Sequence, residues 1–585
     1  MESGYLALVL NAHLPFVREP DYSHFLEERW FFEALSESYL PLLRMFRKLE
    51  ADSVPFPLTL SLSPTLCAML GDKTLGERYM DYLGGQIQLA AAEEKRLQND
   101  PVFSPLARLY RDLYEQDHDD FEGLYGRDIL AAFDYYYKRG KIEIITSAAT
   151  HAFLPAYRNC PEVVSAQIEA ALVAHRRAFG KHPAGFWLPH LGWYPGLEDA
   201  LHAYNIQYTI VTTRGALLGE PTPRSGSFAP LQCGNGLTAF VRDAAASDAL
   251  WSADSGYPAD PLYREFYRDI GFDLPLDYIG PYMAPYTQGP DRIFTGFKYY
   301  AISGHTDDKK PYDIEAGRQR AMEHAAAFLA DRSAEAAAAA PHMERPALMV
   351  CPYDAELFGH GWFEGQIWLE SIFRQAASAG AAASAGAAAS AGAAASAGAP
   401  ATAGAGATAA DGTAAASAPG TVSPAAEKNP AAGTLPQLLT LSEYTKLYPE
   451  NQTSMPEFSS WSEGGYAEVW LDGTNDWTYR HIFRMIERMI ELAERFPEES
   501  GLRERILDQA SREVLLVMGS DWPLLMRTGK SAGFARGRIE DAADNFDKIY
   551  AMLCSNTVDT EWITHLEKRN NLFPDINYRM FRKKR

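Results

Sequence analysis

The sequence predicts a parallel α/β barrel followed by a helical region, and three observations carry this. Short apolar runs alternate with helix-spaced stretches through the first 375 residues, the order of units that builds a parallel sheet. The runs are closed by loops carrying polar and aromatic residues, and in such barrels the loops over the C-terminal strand ends hold the active site. Beyond residue 433 the pattern turns to long amphipathic stretches at helical spacing, as in a bundle.

The first run, Tyr5 to Leu10, ends in Asn-Ala-His-Leu-Pro and delivers Asn11 and His13 to a loop. It has an acid before it and no basic n-region, so it reads as a strand and not a signal peptide. His24 to Leu49 has helical spacing of Leu, Trp and Phe, and Leu58 to Leu62 is a second strand. Residues 70–137 are charged, aromatic and mostly helical in pattern. That is long for a crossover and reads as a helical insertion.

Lys141 to Thr146 is a third strand, whose exit carries His151. A helix over Ser165 to Phe179 leads to a fourth, Gly185 to Leu188, whose exit carries His190, and Tyr208 to Thr212 is a fifth. The run Ala347 to Val350 then opens CPYDAELFGHGWFEG, Cys351 to Gly365, with Asp354 and Glu356 ahead of Phe358, His360, Trp362 and Phe363. A Tyr-Asp pair after a strand is commonly a turn or a helix cap. Aromatics beside carboxylates fit a sugar site, because pyranose rings stack on flat apolar faces while their hydroxyls need fixed acceptors. Asp354 is therefore the first candidate for a catalytic acid. A lone histidine at a strand exit is commonly structural, but His13, His151 and His190 repeat the placement. They lack HExxH spacing, so zinc is weakly supported and no metal or other cofactor is expected.

Residues 376–433 differ in kind: ASAGAA repeats from Ala377, then decays into Ala, Gly, Thr, Ser and Pro. Without large apolar side chains such a tract cannot offset its ordering entropy and reads as a disordered linker. A hexapeptide β-helix would need branched apolar residues that the tract lacks. Folded sequence restarts at Thr440, and helices are expected over 476–496, 501–518 and 539–554, the second ending in Gly-Ser-Asp-Trp-Pro with Asp521. The expected division is a barrel over 1–375, the linker over 376–433 and a helical domain over 434–585.

A formal net charge of −22 argues against nucleic acid or an anionic membrane as partner, since a phosphate backbone is met by a basic face. No run approaches the length of a membrane span. Five scattered cysteines without CxxC spacing suggest neither disulfides nor a zinc knuckle and point to a reducing cytoplasm. Oligomeric state is not legible.

Taken together the motifs resemble glycoside hydrolase family 57, and within it the α-1,4-glucan branching enzymes. The resemblance rests on AHLP at 12–15, GKIEIITSAATHAFLP at 140–155, GFWLPHLGWYPGLE at 185–198, WSADSGYPADPLYREFYRDIG at 251–271, TGFKYY at 295–300, YDAELFGHGWFEG at 353–365, SSWSEGGYAEVWL at 459–471 and SDWP at 520–523. It implies an incomplete (β/α)7 barrel with a helical insertion, and a C-terminal helical domain that helps close the site. It also implies an α-1,4-glucan substrate, cleaved and rejoined through α-1,6 links with retention. Asp354 matches the family's acid/base, while His13, His151 and Asp521 match polar active-site positions. Trp251, Trp461 and Trp470 match aromatics lining the glucan cleft, and Trp362 and His360 are expected as neighbours there.

The departures bear on the chemistry. Where the family has WLPE, with glutamate as nucleophile, this chain reads Trp187-Leu188-Pro189-His190. Asn11 stands where a first histidine is usual, Ala259 where YPGD has glycine, and Ala301 where arginine is usual. The loop expected to carry a tyrosine reads Pro223-Arg224-Ser225-Gly226. Two readings follow: an α-glucan enzyme with impaired or altered transfer, or a non-catalytic glucan-binding or regulatory protein on the same scaffold.

Overall fold

A computed structural model describes residues 4–287, 290–304, 306, 308–396 and 435–583. Among the described residues, ten strands form one sheet: β1 (Tyr5–Ala12), β2 (Thr59–Leu62), β3 (Glu143–Ser147), β4 (Gly185–Trp187), β5 (Tyr208–Val211), β6 (Leu231–Gln232), β7 (Thr238–Val241), β8 (Leu348–Asp354), β9 (Gln437–Leu438) and β10 (Gln452–Thr453). Seven of them run parallel in the order β8-β1-β2-β3-β4-β5-β7. The arc is drawn round until the end of β7 meets β8, where the contact is the single bridge Arg242–Val350. This is the incomplete (β/α)7 barrel that the sequence predicts. β6 pairs antiparallel with β7 and carries β10 on its far edge.

Alternation along the strands divides the apolar residues into two cores, because successive strand side chains point to opposite faces. Ala7 and Val9 of β1, Ile145 of β3, Trp187 of β4, Tyr208 and Ile210 of β5, Phe240 of β7 and Leu348 and Val350 of β8 share the barrel interior. Leu6, Leu8 and Leu10 face outward into the main core, under the surrounding helices. The floor of the barrel is closed by the chain returning at 435. Leu439, Leu441 and Tyr444 join the interior core, while buried Glu143 accepts from Thr59 Oγ1 at 3.1 Å and from Ser442 N at 3.2 Å. The helix Leu441–Leu447 starts in a capping box, Thr440 with Glu443.

The expected insertion is occupied by the helices Lys73–Leu97, Ser104–His118 and Ile129–Lys138. A second, not read from the sequence, fills the long passage between β7 and β8. It is pinned by buried Asp269, which accepts from Thr295 N, Gly296 N and Lys298 Nζ. The tract expected as a linker from 376 begins helical, because the helix Gly365–Ser396 runs through its first residues; alanine is the best helix former. The rest of it, from 397 to 433, lies outside the described residues.

The C-terminal region packs Asp476–Arg495, Leu502–Val517 and Ala532–Ser555 around one core. Ahead of these helices, β9 and β10 pair with the barrel sheet, while Asp472 and Asn475 contact Arg527 and Pro523 of the C-terminal region. Among the described residues no helix is long and apolar enough to cross a membrane.

Candidate active site at the barrel mouth

Strand parity builds the site. Ala7 and Val9 face the interior, so Asn11, two residues on, faces the C-terminal mouth; along β8 the series Leu348, Val350 continues to Asp354. The register sets Asn11 directly opposite Asp354, and Asn11 Nδ2 donates to Asp354 Oδ1 at 3.4 Å. Burial pushes the Asp354 carboxyl above the ordinary carboxylate range, against the opposing pulls of Asn11, His13 and Arg242. A carboxyl so placed holds its proton to higher pH, as a general acid requires.

The cavity it faces, of about 610 Å³, is lined by residues from five strand exits and from the C-terminal region. They include Asn11, His13, His151, Trp187, His190, Trp251, Asp354, Glu356, Trp461 and Asp521. The structure therefore brings Asp354, the three predicted histidines, Asp521, Trp251 and Trp461 into one site.

The histidines are tightly organised. His13 Nδ1 meets Ser63 Oγ at 2.9 Å and its Nε2 meets Asp521 Oδ2 at 3.1 Å, fastening a barrel loop to the helical region. Its ring stacks on that of His151, centroids 3.8 Å apart and planes within 10°. His151 meets the ring of His190 edge-on at 5.0 Å. Burial and the neighbouring histidines hold His151 well below the usual imidazole range, and burial lowers His190 to about 3, so both are neutral at ordinary pH. His190 and Leu191 both adopt left-handed backbone, φ 56° and 50°, a costly conformation for side chains with a Cβ. The carbonyl of His190 accepts from Trp461 N at 2.6 Å, which helps hold the turn.

Two predicted sugar contacts are corrected. Trp362 is 2% exposed and packs on Tyr263, Phe358 and Trp368 within the core, so it has no free face for a pyranose. Trp470, also 2% exposed, is sandwiched behind the site, stacked on Phe153 at 4.6 Å and on His190 at 4.2 Å. It supports His190 and does not line the cavity. His360 is paired with Glu37 at 2.8 Å beside the cavity wall, outside the lining set. By contrast Trp251 is 40% exposed and meets Trp461 edge-on at 5.9 Å. These two rings are the aromatic surface on offer.

Glu356 was noted from the sequence only as a neighbour of Asp354, and three further residues of the site were given no role there. Glu356 accepts from His13 N at 3.1 Å and from the Tyr39 hydroxyl, and burial raises it to about 7. Arg242 continues the inward series of β7 beyond Phe240 and lays its guanidinium over Trp461, 4.2 Å from the ring centre; parity would have found it had that strand been predicted. Trp187 lies inside β4. Ser520 stands in the SDWP motif, but only tertiary packing shows that its hydroxyl meets the histidines. Among the described residues no cluster of His, Cys, Asp and Glu is arranged to hold a metal ion.

Comparison with known proteins places this geometry. The family described as glycosyl hydrolase family 57 matches residues 7–305, and the 1,4-alpha-glucan branching enzyme C-terminal family matches 481–581. The crystal structure of the alpha-amylase AmyC from Thermotoga maritima is 35% identical, with the whole of both chains covered and a TM-score of 0.84. That of the branching enzyme from Pyrococcus horikoshii is 24% identical, covering 100% of this chain and 97% of the other, with a TM-score of 0.80. The 1,4-alpha-glucan branching enzyme of Thermococcus kodakarensis is 26% identical over 98% of this chain and 78% of its own. The chain belongs to glycosyl hydrolase family 57.

Proposed function

We propose that this family 57 protein acts on α-1,4-glucan of the glycogen or amylose type, in the manner of a branching enzyme, with covalent transfer impaired by the imidazole at position 190. The observation that supports this is a competent acid facing an unsuited partner. Desolvation raises the half-buried Asp354 carboxyl above its ordinary pKa, while His190 is neutral and sits where the family resemblance implies a carboxylate nucleophile. Retaining transfer uses two carboxylates about 5–5.5 Å apart, one forming the glycosyl-enzyme. A neutral imidazole offers no negative charge to an oxocarbenium-like transition state.

Inverting hydrolysis through His190 is disfavoured by the same burial, because a base with a pKa of about 3 activates water poorly. Glucan binding does not need the nucleophile, and Trp251 with Trp461 supports it by stacking. A non-catalytic glucan-binding or regulatory role on the same scaffold is therefore the second reading. The alpha-amylase name of the Thermotoga maritima relative makes hydrolysis a third outcome for the assay to separate. The unpaired cysteines of the described chain support a reducing, cytoplasmic setting.

The experiment is to incubate the protein with amylose and follow iodine staining, reducing ends and α-1,6 content. Slow turnover abolished by Asp354→Asn supports the first reading, and retention on glycogen without turnover supports the second. No retention on glycogen or amylose would sink both.

A further inference from the structure

We propose that Ser520 fixes the tautomer of His190, leaving Nδ1 as an unprotonated acceptor at the cavity wall that receives a hydrogen bond from a glucan hydroxyl. The ligand half of this rests on the glucan reading above; the tautomer half does not.

The argument is a proton count. Ser520 is 1% exposed, and its hydroxyl stands at the meeting point of three groups: the backbone carbonyl of His151, His151 Nδ1 at 3.2 Å and His190 Nε2 at 2.8 Å. A hydroxyl has one proton to donate and two lone pairs with which to accept. The carbonyl can only accept, so the serine proton is committed to it. Both imidazole contacts must then run the other way, with nitrogen donating to Ser520 Oγ. A neutral imidazole carries one N–H, and burial keeps His190 neutral. Its proton is therefore on Nε2 and its lone pair on Nδ1.

The surroundings leave that lone pair for a ligand. One face of the His190 ring is covered by Trp470 at 4.2 Å, its neighbour His151 closes in edge-on at 5.0 Å, and Nε2 is taken by Ser520. His190 nevertheless lines the cavity together with Asp354, Trp251 and Trp461. The backbone pays a left-handed φ of 56° to present the ring there. The same count leaves His151 Nε2 as a lone pair, and that atom is buried without a protein partner. A polyhydroxylated ligand, rich in donors, suits a wall of fixed neutral acceptors better than a carboxylate or phosphate ligand would. Ser520 is thus a positioning residue acting through His190.

The test is nitrogen NMR of the full chain labelled with 15N-histidine, with His190 assigned by loss of its signals in His190→Gln. The expected spectrum at neutral pH is one fixed Nε2–H tautomer for His190 in the wild type and in Ser520→Thr, and a mixture in Ser520→Ala. Maltohexaose is expected to shift the unprotonated Nδ1, and Ser520→Ala to weaken its binding about tenfold. An Nδ1–H tautomer in the wild type, or a Ser520→Ala spectrum with the tautomer unchanged, would overturn the positioning role whatever the protein binds. An Nδ1 resonance unmoved while calorimetry shows maltohexaose bound would overturn the acceptor role alone. No calorimetric binding would remove the glucan reading and the acceptor role with it, leaving the tautomer standing on the wild-type spectrum.

Discussion

His13 and Asp521 are 508 residues apart in sequence and 3.1 Å apart in space, joining the first strand's exit to a helix start in the C-terminal region. The contact makes the site a property of both parts of the chain. His13 in turn stacks on His151 and donates its backbone N–H to Glu356, so the fastening reaches the acid loop.

Asp521→Ala is expected to cost about 1–3 kcal/mol of stability, since it strips a part-buried imidazole of its acceptor. Urea denaturation monitored by tryptophan fluorescence checks this. It is also expected to weaken glucan binding, because His13, on which His151 stacks, loses its anchor. Unchanged affinity would show that the helical region only covers the site.

The Glu356 carboxyl makes stability depend on pH. Its folded pKa is raised from 4.5 to about 7 by burial. The protonated form is therefore favoured by folding, and the stability it contributes is full below pH 4.5 and lost as pH rises through 7. Over that window the wild type is expected to lose about 3 kcal/mol from this group. Glu356→Gln, which cannot ionise, is expected to flatten that part of the profile. Denaturation midpoints at half-unit pH steps decide it.

The tryptophans separate binding from packing. Trp461→Ala or Trp251→Ala is expected to weaken maltohexaose binding about threefold to tenfold, with little change in unfolding temperature for exposed Trp251. Trp362→Phe is expected to do the reverse, leaving affinity intact and costing about 1–2 kcal/mol of core packing. A loss of affinity in Trp362→Phe would contradict its assignment to the core.

Much of the fold was legible because strand period and strand exits are local signals. The alternation that buries Ala7 and Val9 also aims Asn11, and the apolar run ahead of Asp354 announces β8. Burial of aromatics is not local: Trp362 precedes Phe363 and Trp470 lies between Val469 and Leu471, and only the packing of Trp368 or Phe153 against them shows that their faces are taken. The role of Ser520 was missed because it reaches the histidines by docking, and Arg242 because it follows an unpredicted strand. The alanine tract shows the limit of reading composition, as lack of apolar side chains does not prevent the helix Gly365–Ser396 from running through its first residues.

The proposed function turns on His190 standing in place of the nucleophile in the glucan site. The most direct measurement is the α-1,6 content of amylose after incubation with the wild type and with His190→Glu, side by side. The account predicts a trace or none from the wild type and at least about a hundredfold more from His190→Glu, abolished again by adding Asp354→Asn. Rapid branching by the wild type, or no branching by a His190→Glu protein that still binds maltohexaose, would contradict it.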